Sequence, residues 1–428
     1  MTEHKIIKLT KLNKVTKGHN LVFERSPMSL VWNFNGKEKY FNMAITNQTD
    51  NQTWTLEELE YKQFLKEDIL VVSYLVLLSV VGTIGNGHAL IVYYFRYKVS
   101  NHRTFVLWLS VVDLLACCLG IPFEIFDLRY SYTFQAVAPC KIFRFLNHFV
   151  SMGSGLLLGV IALERHRKVC TPFKQQMDEK CAMKACVITI VVALVLSAPS
   201  FVFYGPAAKK TGSILVGSDC TVLATFKGSS YFWAYSGLFL LISTTIFIIC
   251  VIAYVHVGRV MYKQMVFRKS AQIFKQKPSN GLSRSSSHEN GACVNDDESS
   301  VNTDMRVKIS TIDRKITKQN NQKHKKFVLD RSKRITLMFL VATAVSYLGY
   351  LPYNFIILIK VLNPKAYRAM DRVLGQFMGV LLRGYFLNNA SNPVVYCFLD
   401  NRFRTECKKF YSRLRLYLCT RREKELSF

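Results

Sequence analysis

Seven runs of close to twenty apolar residues leave this chain little choice of environment. They fall at 69–95, 104–128, 138–163, 182–204, 231–257, 335–360 and 373–398. As a helix, a stretch of that length crosses the roughly 30 Å hydrocarbon core of a bilayer and satisfies its backbone polar groups internally, where no water can. Half of the 428 residues are hydrophobic, 13% are aromatic and only 10 are proline. The reading is an all-α, polytopic membrane protein, and an odd number of crossings puts the termini on opposite faces.

The third run sharpens this. It carries Cys140 at one end and Glu164-Arg165-His166 at the other. The 25 residues between cysteine and arginine cover roughly 37 Å of helix at about 1.5 Å each, enough to cross with some tilt. An oxidisable sulfur and a charged triplet thus sit on opposite sides of one membrane, a division that points to a receptor.

The location of the net charge of +29 decides its meaning. Arg96, Lys98 and Arg103 follow the first run, Arg165, Arg167, Lys168 and Lys174 follow the third, and 18 Lys or Arg lie between 259 and 334. The tail adds Arg402, Arg404, Lys408, Lys409, Arg413 and Arg415. All of these share one side if the N-terminus is outside, as the positive-inside bias requires at the plasma membrane. The basicity is therefore read as setting topology and meeting anionic lipid, with no nucleic-acid partner. Met1 to Lys17 is polar and lysine-studded without an apolar core, so the first run is read as a signal anchor. Asn47 and Asn51 head two Asn-x-Thr glycosylation sequons in the segment placed outside; Asn389-Ala390-Ser391 fits the pattern but lies inside the seventh run and is read as unmodified.

Of the 12 cysteines, Cys117, Cys118, Cys186 and Cys250 fall in apolar runs, and Cys170, Cys181, Cys293, Cys407 and Cys419 face the reducing side. Cys397 sits at the inner end of the seventh run. Cys140 and Cys220 remain on the oxidising side, and pairing them would pin the loop between the fourth and fifth runs over the mouth of the bundle, a stabilisation of about 2–4 kcal/mol. The long polar interruption carries Ser283-Arg284-Ser285-Ser286-Ser287, an acidic patch Asp296-Asp297-Glu298 and basic flanks, a composition that cannot bury enough apolar surface to fold alone. Its serines suit a kinase and arrestin, and its helical flanks suit a cytosolic protein. The expected organisation is an extracellular glycosylated segment at 1–68, spans one to five at 69–262, a disordered basic, serine-rich third loop at 263–330, spans six and seven at 331–398, and an amphipathic helix with a basic tail at 399–428.

Polar residues inside the spans are expensive and need partners. Asn86, Asp113, Ser154, Asn388 and Asn392 form the obvious set. A lone buried carboxylate needs donors, a cation or a proton. Asp113, with Ser154, Asn388 and Asn392, is read either as a water-bridged core aspartate or as a site for a monovalent cation such as sodium, or for a proton, that favours one arrangement of the helices. No other cofactor is expected.

These residues carry a resemblance to rhodopsin-like, class A G-protein-coupled receptors over roughly 69–412. Gly85-Asn86 resembles the family's first-helix motif and Leu109-Ser110-Val111-Val112-Asp113-Leu114 its second-helix motif. Glu164-Arg165-His166 stands where the family has Asp/Glu-Arg-Tyr, at the family's distance from Cys140. Asn392-Pro393-Val394-Val395-Tyr396 matches the seventh-helix motif, followed by Phe403 and a short amphipathic helix along the inner leaflet. The resemblance implies a seven-transmembrane-helix bundle in which Glu164 holds Arg165 at rest and releases it toward a heterotrimeric G protein when span six swings outward. It implies that Tyr254 and Tyr396 support the active arrangement and that Pro352 hinges span six.

Departures are specific. Span four lacks the usual tryptophan, span five has no proline near Ile246, Tyr350 replaces the span-six tryptophan, His166 replaces a tyrosine, and Ser332 stands where some relatives have a glutamate that clasps the arginine. Asn147 occupies the position at which amine receptors carry an aspartate, and Phe386 that at which opsins carry a lysine, which disfavours a monoamine and retinal. The mouth then holds Glu124, Asp127, Arg144, Asn147, His148, Tyr353, Asn354, Lys360, Gln376 and Arg383, with Tyr350 beneath. This mixed set on several spans suits a peptide. A small non-amine organic ligand is the alternative, and an ion transporter or channel built on Asp113 a further one, though no internal repeat is visible. No nucleotide loop, HExxH helix or nucleophile elbow is present, so the chain is read as no enzyme. A receptor that has lost coupling is disfavoured by the retained Glu164-Arg165 and Tyr396.

Overall fold

The computed structural model describes residues 53–211, 215–276 and 332–426, with five two- or three-residue strands before residue 53. The sequons at Asn47 and Asn51, the serines of 283–287 and Cys293 lie outside the described residues, as does the side chain of Cys419. Among the described residues six helices are long and apolar enough to cross a membrane: α1 Leu56–Arg96, α2 Asn101–Arg129, α3 Val137–Cys170, α4 Glu179–Phe203, α5 Ser230–Phe267 and α6 Ser332–Leu362. The seventh crossing, α7, is composite. Gln376–Leu382 is helical, Gly384–Phe386 forms a 3-10 turn, and Leu387–Leu399 is helical again with Pro393 inside it. No uninterrupted helix of spanning length exists there: the break falls at Arg383–Phe386, around Gly384, and the helix that follows runs on through Pro393.

Local chemistry sets several ends. Thr55 caps α1 in a box with Glu58, whose backbone N–H donates to the Thr55 hydroxyl at 3.2 Å while the Glu58 carboxylate accepts the Thr55 N–H at 2.9 Å. Ser100 caps α2 and Asp178 caps α4. The helix of α5 continues to Gln276, about five turns beyond the end of the fifth apolar run at 257. After α7 the chain turns at Asp400 into α8, Asn401–Leu426, which at 26 residues is longer than the short helix expected.

The bundle closes where side chains are small. A Cβ on Gly85 of α1 would lie 2.7 Å from Pro393 of α7, and one on Gly349 of α6 would lie 2.5 Å from the Gly384 carbonyl oxygen. The glycines let backbones approach at two α7 contacts. Tyr93, Phe105, Leu157, Ile161, Phe339, Tyr396 and Phe403 belong to one buried cluster joining α1, α2, α3, α6, α7 and α8. Large apolar residues such as Leu77, Ile84, Ile188, Val195, Leu241 and Leu348 are exposed along the spans, as lipid contact requires.

Across the outer end, Tyr204–Thr211 (β1) and Leu215–Val222 (β2) form an antiparallel hairpin. It is fixed to α3 by the Cys140–Cys220 disulfide, whose Cα atoms are 5.5 Å apart. The loop between α2 and α3, which flanks the hairpin, is tied to α1 by Glu60, 2% exposed, which accepts the Tyr132 N–H at 2.7 Å, the Thr133 N–H at 3.1 Å and the Thr133 hydroxyl at 3.0 Å.

Candidate functional site

The candidate residues fall at three depths of the bundle. At the inner end, Arg165 is 1% exposed and its guanidinium is paired with Glu164, its neighbour on α3. Glu164 is shared: Lys168 lies 3.8 Å from its other oxygen and the Asn101 amide donates to it at 3.5 Å. The ring of Phe339 on α6 lies 5.8 Å from the Arg165 guanidinium carbon, a contact the sequence reading did not anticipate. His166 faces His256 of α5 with ring centroids 5.7 Å apart. Tyr254 on α5 accepts a hydrogen bond from Thr343 of α6 at 3.4 Å. Tyr396 is buried, packed edge-on against Tyr93 and Phe403, and its hydroxyl has no hydrogen-bond partner among the described residues. Pro352 lies half-buried within α6. The structure therefore joins Glu164 to Arg165 and leaves His166, Tyr254 and Tyr396 on separate contacts. Beneath α6 and α8 a cavity of about 660 Å³ opens, lined by Arg334, Met338, Leu399, Arg402 and Thr405.

Midway through the bundle, the predicted polar set converges. Asp113 accepts the Asn392 amide at 2.7 Å and the Ser154 hydroxyl at 3.5 Å. Asn388 donates to Ser154 at 2.8 Å and accepts from Ser346 of α6. Asn86 donates to the Gly82 carbonyl at 3.0 Å and the Asn389 carbonyl at 2.8 Å. Ser346, absent from the expected set, brings α6 into this network. The Oδ1 atoms of Asn86 and Asn392 and the Ser110 hydroxyl are buried without partners among the described residues. Oxygen donors around a single carboxylate suit a monovalent cation or a proton; among the described residues no group of three His, Cys, Asp or Glu offers a site for a harder or softer metal.

At the outer end the charges expected to line an open mouth are largely spent on one another. Arg144 on α3 donates to Asp127 at 2.5 Å and to the Cys220 carbonyl at 2.7 Å, and lies 3.6 Å from Glu124. Arg383 on α7 donates to the second Glu124 oxygen at 3.0 Å. Two cations and two carboxylates thus tie α2, α3, α7 and the hairpin together. Asp127 is as much part of this cluster as Glu124, and its signal was legible: three residues on, it shares a face of α2.

Below the cluster, Asn147 is 8% exposed and both of its amide atoms are unpartnered among the described residues, as is the Tyr350 hydroxyl. His148 meets its own helix at the Arg144 carbonyl, 2.8 Å away, and sits among Tyr204, Tyr235 and Phe239 at centroid distances of 5.4, 6.0 and 5.3 Å. Those aromatics come from two elements, β1 and α5, and had no common sequence signature. Tyr353 packs on Tyr385 at 5.4 Å. Gln376 donates to the Lys66 carbonyl at 2.5 Å and Lys360 lies 5.2 Å over the Tyr367 ring, so both serve the rim; Asn354 is half-buried on α6.

Comparison with known proteins accounts for this arrangement. The model of the seven-transmembrane receptors of the rhodopsin family matches residues 85–396. The cholecystokinin receptor of Xenopus laevis is 23% identical over 420 residues, covering 92% of this chain and 89% of that receptor. The human cholecystokinin receptor type A is 24% identical over 352 residues, 78% of each chain. The neuromedin-U receptor 1 of Rattus norvegicus is 30% identical over 174 residues, 39% of this chain and 40% of its own length. Receptors, rather than transporters or enzymes, share the transmembrane region, and the chain belongs to the rhodopsin family of seven-transmembrane receptors.

Proposed function

We propose that this receptor sits in the plasma membrane with its N-terminus outside, binds an extracellular peptide beneath the hairpin, and activates a heterotrimeric G protein at its inner end. The observation that carries the peptide reading is the similarity to cholecystokinin receptors, which runs through nine-tenths of the chain and so includes the outer loops as well as the spans. Peptide entry has a physical basis in the outer cluster. A zwitterionic or mixed-charge ligand can exchange partners with Glu124, Asp127, Arg144 and Arg383 without leaving any of them unpaired, while Asn147 and the aromatic box around His148 receive its deep end.

Ligand binding favours an arrangement already present in the ensemble rather than creating one. The cluster links α2, α3 and α7, and α7 reaches α6 through the Gly349–Gly384 contact and the Ser346–Asn388 bond. Outward movement of α6 about Pro352 removes Phe339 from Arg165 and frees the guanidinium for the G protein; His166, Tyr254 and Tyr396 are the other side chains at that face. Pro393 gives α7 its own irregularity. A sodium ion at Asp113, held by Ser154, Asn388 and Asn392, favours the resting arrangement. A kinase and arrestin act on the third loop and tail.

The test is a second-messenger screen of cells expressing the chain against a broad peptide collection, with Arg165→Ala as control. Peptide-evoked calcium or cyclic-nucleotide responses that vanish in the variant at unchanged surface expression are expected. Responses to a small organic ligand and to no peptide overturn the peptide reading, and undiminished coupling in Arg165→Ala removes the role of Arg165.

A further inference from the structure

The hairpin over the mouth has two edges, and among the described residues only one is covered. Its strands pair from Tyr204↔Val222 to Thr211↔Leu215. In antiparallel pairing, opposed residues alternate between pairs that exchange backbone hydrogen bonds and pairs whose N–H and C=O point outward. The Leu223 N–H donates to the Phe203 carbonyl at 3.0 Å, which makes that a bonded pair. By alternation Gly205/Thr221, Ala207/Asp219 and Lys209/Gly217 bond inward, while Pro206, Ala208 and Ser218 turn their backbone groups out.

The outer edge of β2 bears out this parity. The Ser218 N–H donates to the Tyr132 carbonyl at 2.7 Å, and the Ser218 carbonyl accepts the Phe134 N–H at 3.0 Å. Contact is so close that a Cβ on Gly217 would come 2.6 Å from the Tyr132 oxygen. Pro206 fits as well, because a residue without an N–H is tolerated where that group would face away from the ladder. The edge of β1 has no such cover among the described residues. Among the described residues the N–H and C=O of Ala208 and the C=O of Pro206 have no backbone partner, and Ala208 is exposed. An unpaired edge of this kind is a template for another strand.

We infer that the β1 edge is a rail on which the outer stretch of a bound peptide adds as a third strand, bonding to Ala208 and Pro206. The inference rests on the peptide reading above. Continuity with the pocket selects this occupant. β1 starts inside the bundle, with the Tyr204 ring 5.4 Å from that of His148. At about 3.3 Å per residue, Ala208 lies roughly 13 Å along the strand from Tyr204, so a peptide seated by one end at Asn147 passes alongside. Lys209 is engaged elsewhere, 3.6 Å from Asp219 and 3.1 Å from the Ser131 carbonyl. The rail therefore contributes sequence-tolerant main-chain affinity, and selectivity is left to the deep end.

The probe is a pool of synthetic peptides of about ten residues, screened by second-messenger response, with the most potent member carried forward. Ala208→Pro deletes the outward N–H without touching a β1–β2 bond and is expected to weaken that peptide about tenfold, the effect of losing one net hydrogen bond at the upper end of its range. Ala208→Val keeps the N–H and is expected to leave potency within twofold. N-methylation of the peptide outside its deep end is expected to lower potency at alternate positions. Ala208→Cys is expected to react with a membrane-impermeant maleimide more slowly only when the peptide is bound. Equal potency on Ala208→Pro at matched surface expression, or N-methyl losses without alternation, overturns the rail and leaves the peptide reading standing. Protection of Ala208→Cys without peptide that is relieved by deleting residues 2–45, or that grows with receptor density, assigns the edge to the chain's own N-terminal segment or to a second copy and equally overturns it. A screen in which no peptide is active overturns the peptide reading and the rail with it.

Discussion

The two ends of α3 handle buried charge in opposite ways. At the outer end Arg144 is held by carboxylates on another span and by a hairpin carbonyl, and the same Glu124 reaches on to Arg383 of a third span. At the inner end Arg165 is held by the residue beside it on its own helix, and its described contact with α6 is the ring of Phe339. An ion pair within one helix restrains a side chain, whereas one between helices restrains the helices. The outer cluster therefore holds spans together and the inner pair holds only a guanidinium. This matches the presence of Ser332, rather than a carboxylate, near the inner end of α6, and it places the resting restraint on α6 in apolar packing and, among the described residues, three side-chain hydrogen bonds, Ser346 to Asn388, Thr343 to Tyr254 and the long Tyr347 to Cys250 contact at 3.9 Å.

The largest effect that would break this contrast is expected at Glu124. Glu124→Ala leaves Arg383 and part of Arg144 unpaired where both are less than a quarter exposed, a loss of about 3–5 kcal/mol. Thermal inactivation in detergent should fall steeply, and Glu124→Ala with Arg383→Ala together should cost less than the sum of the two, since no orphan cation remains at Arg383. Strict additivity would mean that the cluster does not act as a unit.

Next in size is Glu164→Gln. Arg165 loses its charged partner but keeps an uncharged acceptor in the amide oxygen of the new side chain, so the cost is about 1–3 kcal/mol. Basal G-protein activation should rise, because the only ion pair found for Arg165 among the described residues is gone. Wild-type basal activity in this variant would show that Phe339 and the α5–α6 contacts hold the resting state without it.

The bond from Thr343 to Tyr254 is the smaller inter-span restraint at that end. Thr343→Val and Tyr254→Phe each remove it with nearly constant shape, at 3.4 Å a loss of about 0.5–1 kcal/mol, and the double variant should lose no more than either one. A double variant that loses the sum would mean that the two hydroxyls serve other partners.

The contrast between the ends also explains what the sequence made legible. Hydropathy runs read correctly as crossings because a bilayer imposes a length, and α7 read as a span although its helix is broken, since composition survives a 3-10 turn that helix continuity does not. Asp113, Ser154, Asn388 and Asn392 were readable as a set because each is a polar residue in a setting that demands a partner. Cys140 and Cys220 were readable from redox compartment. What the sequence concealed was who pairs with whom. Glu124 and Arg383 are 259 residues apart, and nothing in either segment distinguishes a carboxylate open to a ligand from one already claimed by an arginine. The aromatic box around His148 and the cover that Glu60 gives the outer loops were hidden for the same reason: each is assembled across spans, and only the register of packed helices brings its members together.

The smallest effect tests whether position or pairing sets the strength of these contacts. On α8, Glu406 is bonded by Lys409 at 3.1 Å and by Arg96 of α1 at 3.0 Å. The Lys409 ammonium, and then Arg96, hold its carboxyl below the usual carboxylate range. A depressed value means that the fold binds the ionised form, so the stabilisation is fully present above the ordinary carboxylate pKa of about 4.3 and is lost as pH falls through the lower, folded value. Between pH 7 and 5 the hold of α8 on α1 should not change, and near pH 3 it should loosen. Glu406→Gln should reproduce the acid state at neutral pH, with a loss below about 1 kcal/mol because the pair is close to water. A spin label on α8 would report this as added mobility. Salt at about 1 M should mimic the variant here, since it screens charges near solvent, yet should leave the Glu124 cluster unaffected behind the hairpin. If salt loosens both ends alike, the outer cluster is wetter than its burial indicates and the contrast between the two ends of α3 is one of geometry alone; if it loosens only α8, burial is what makes the outer charges a structural brace.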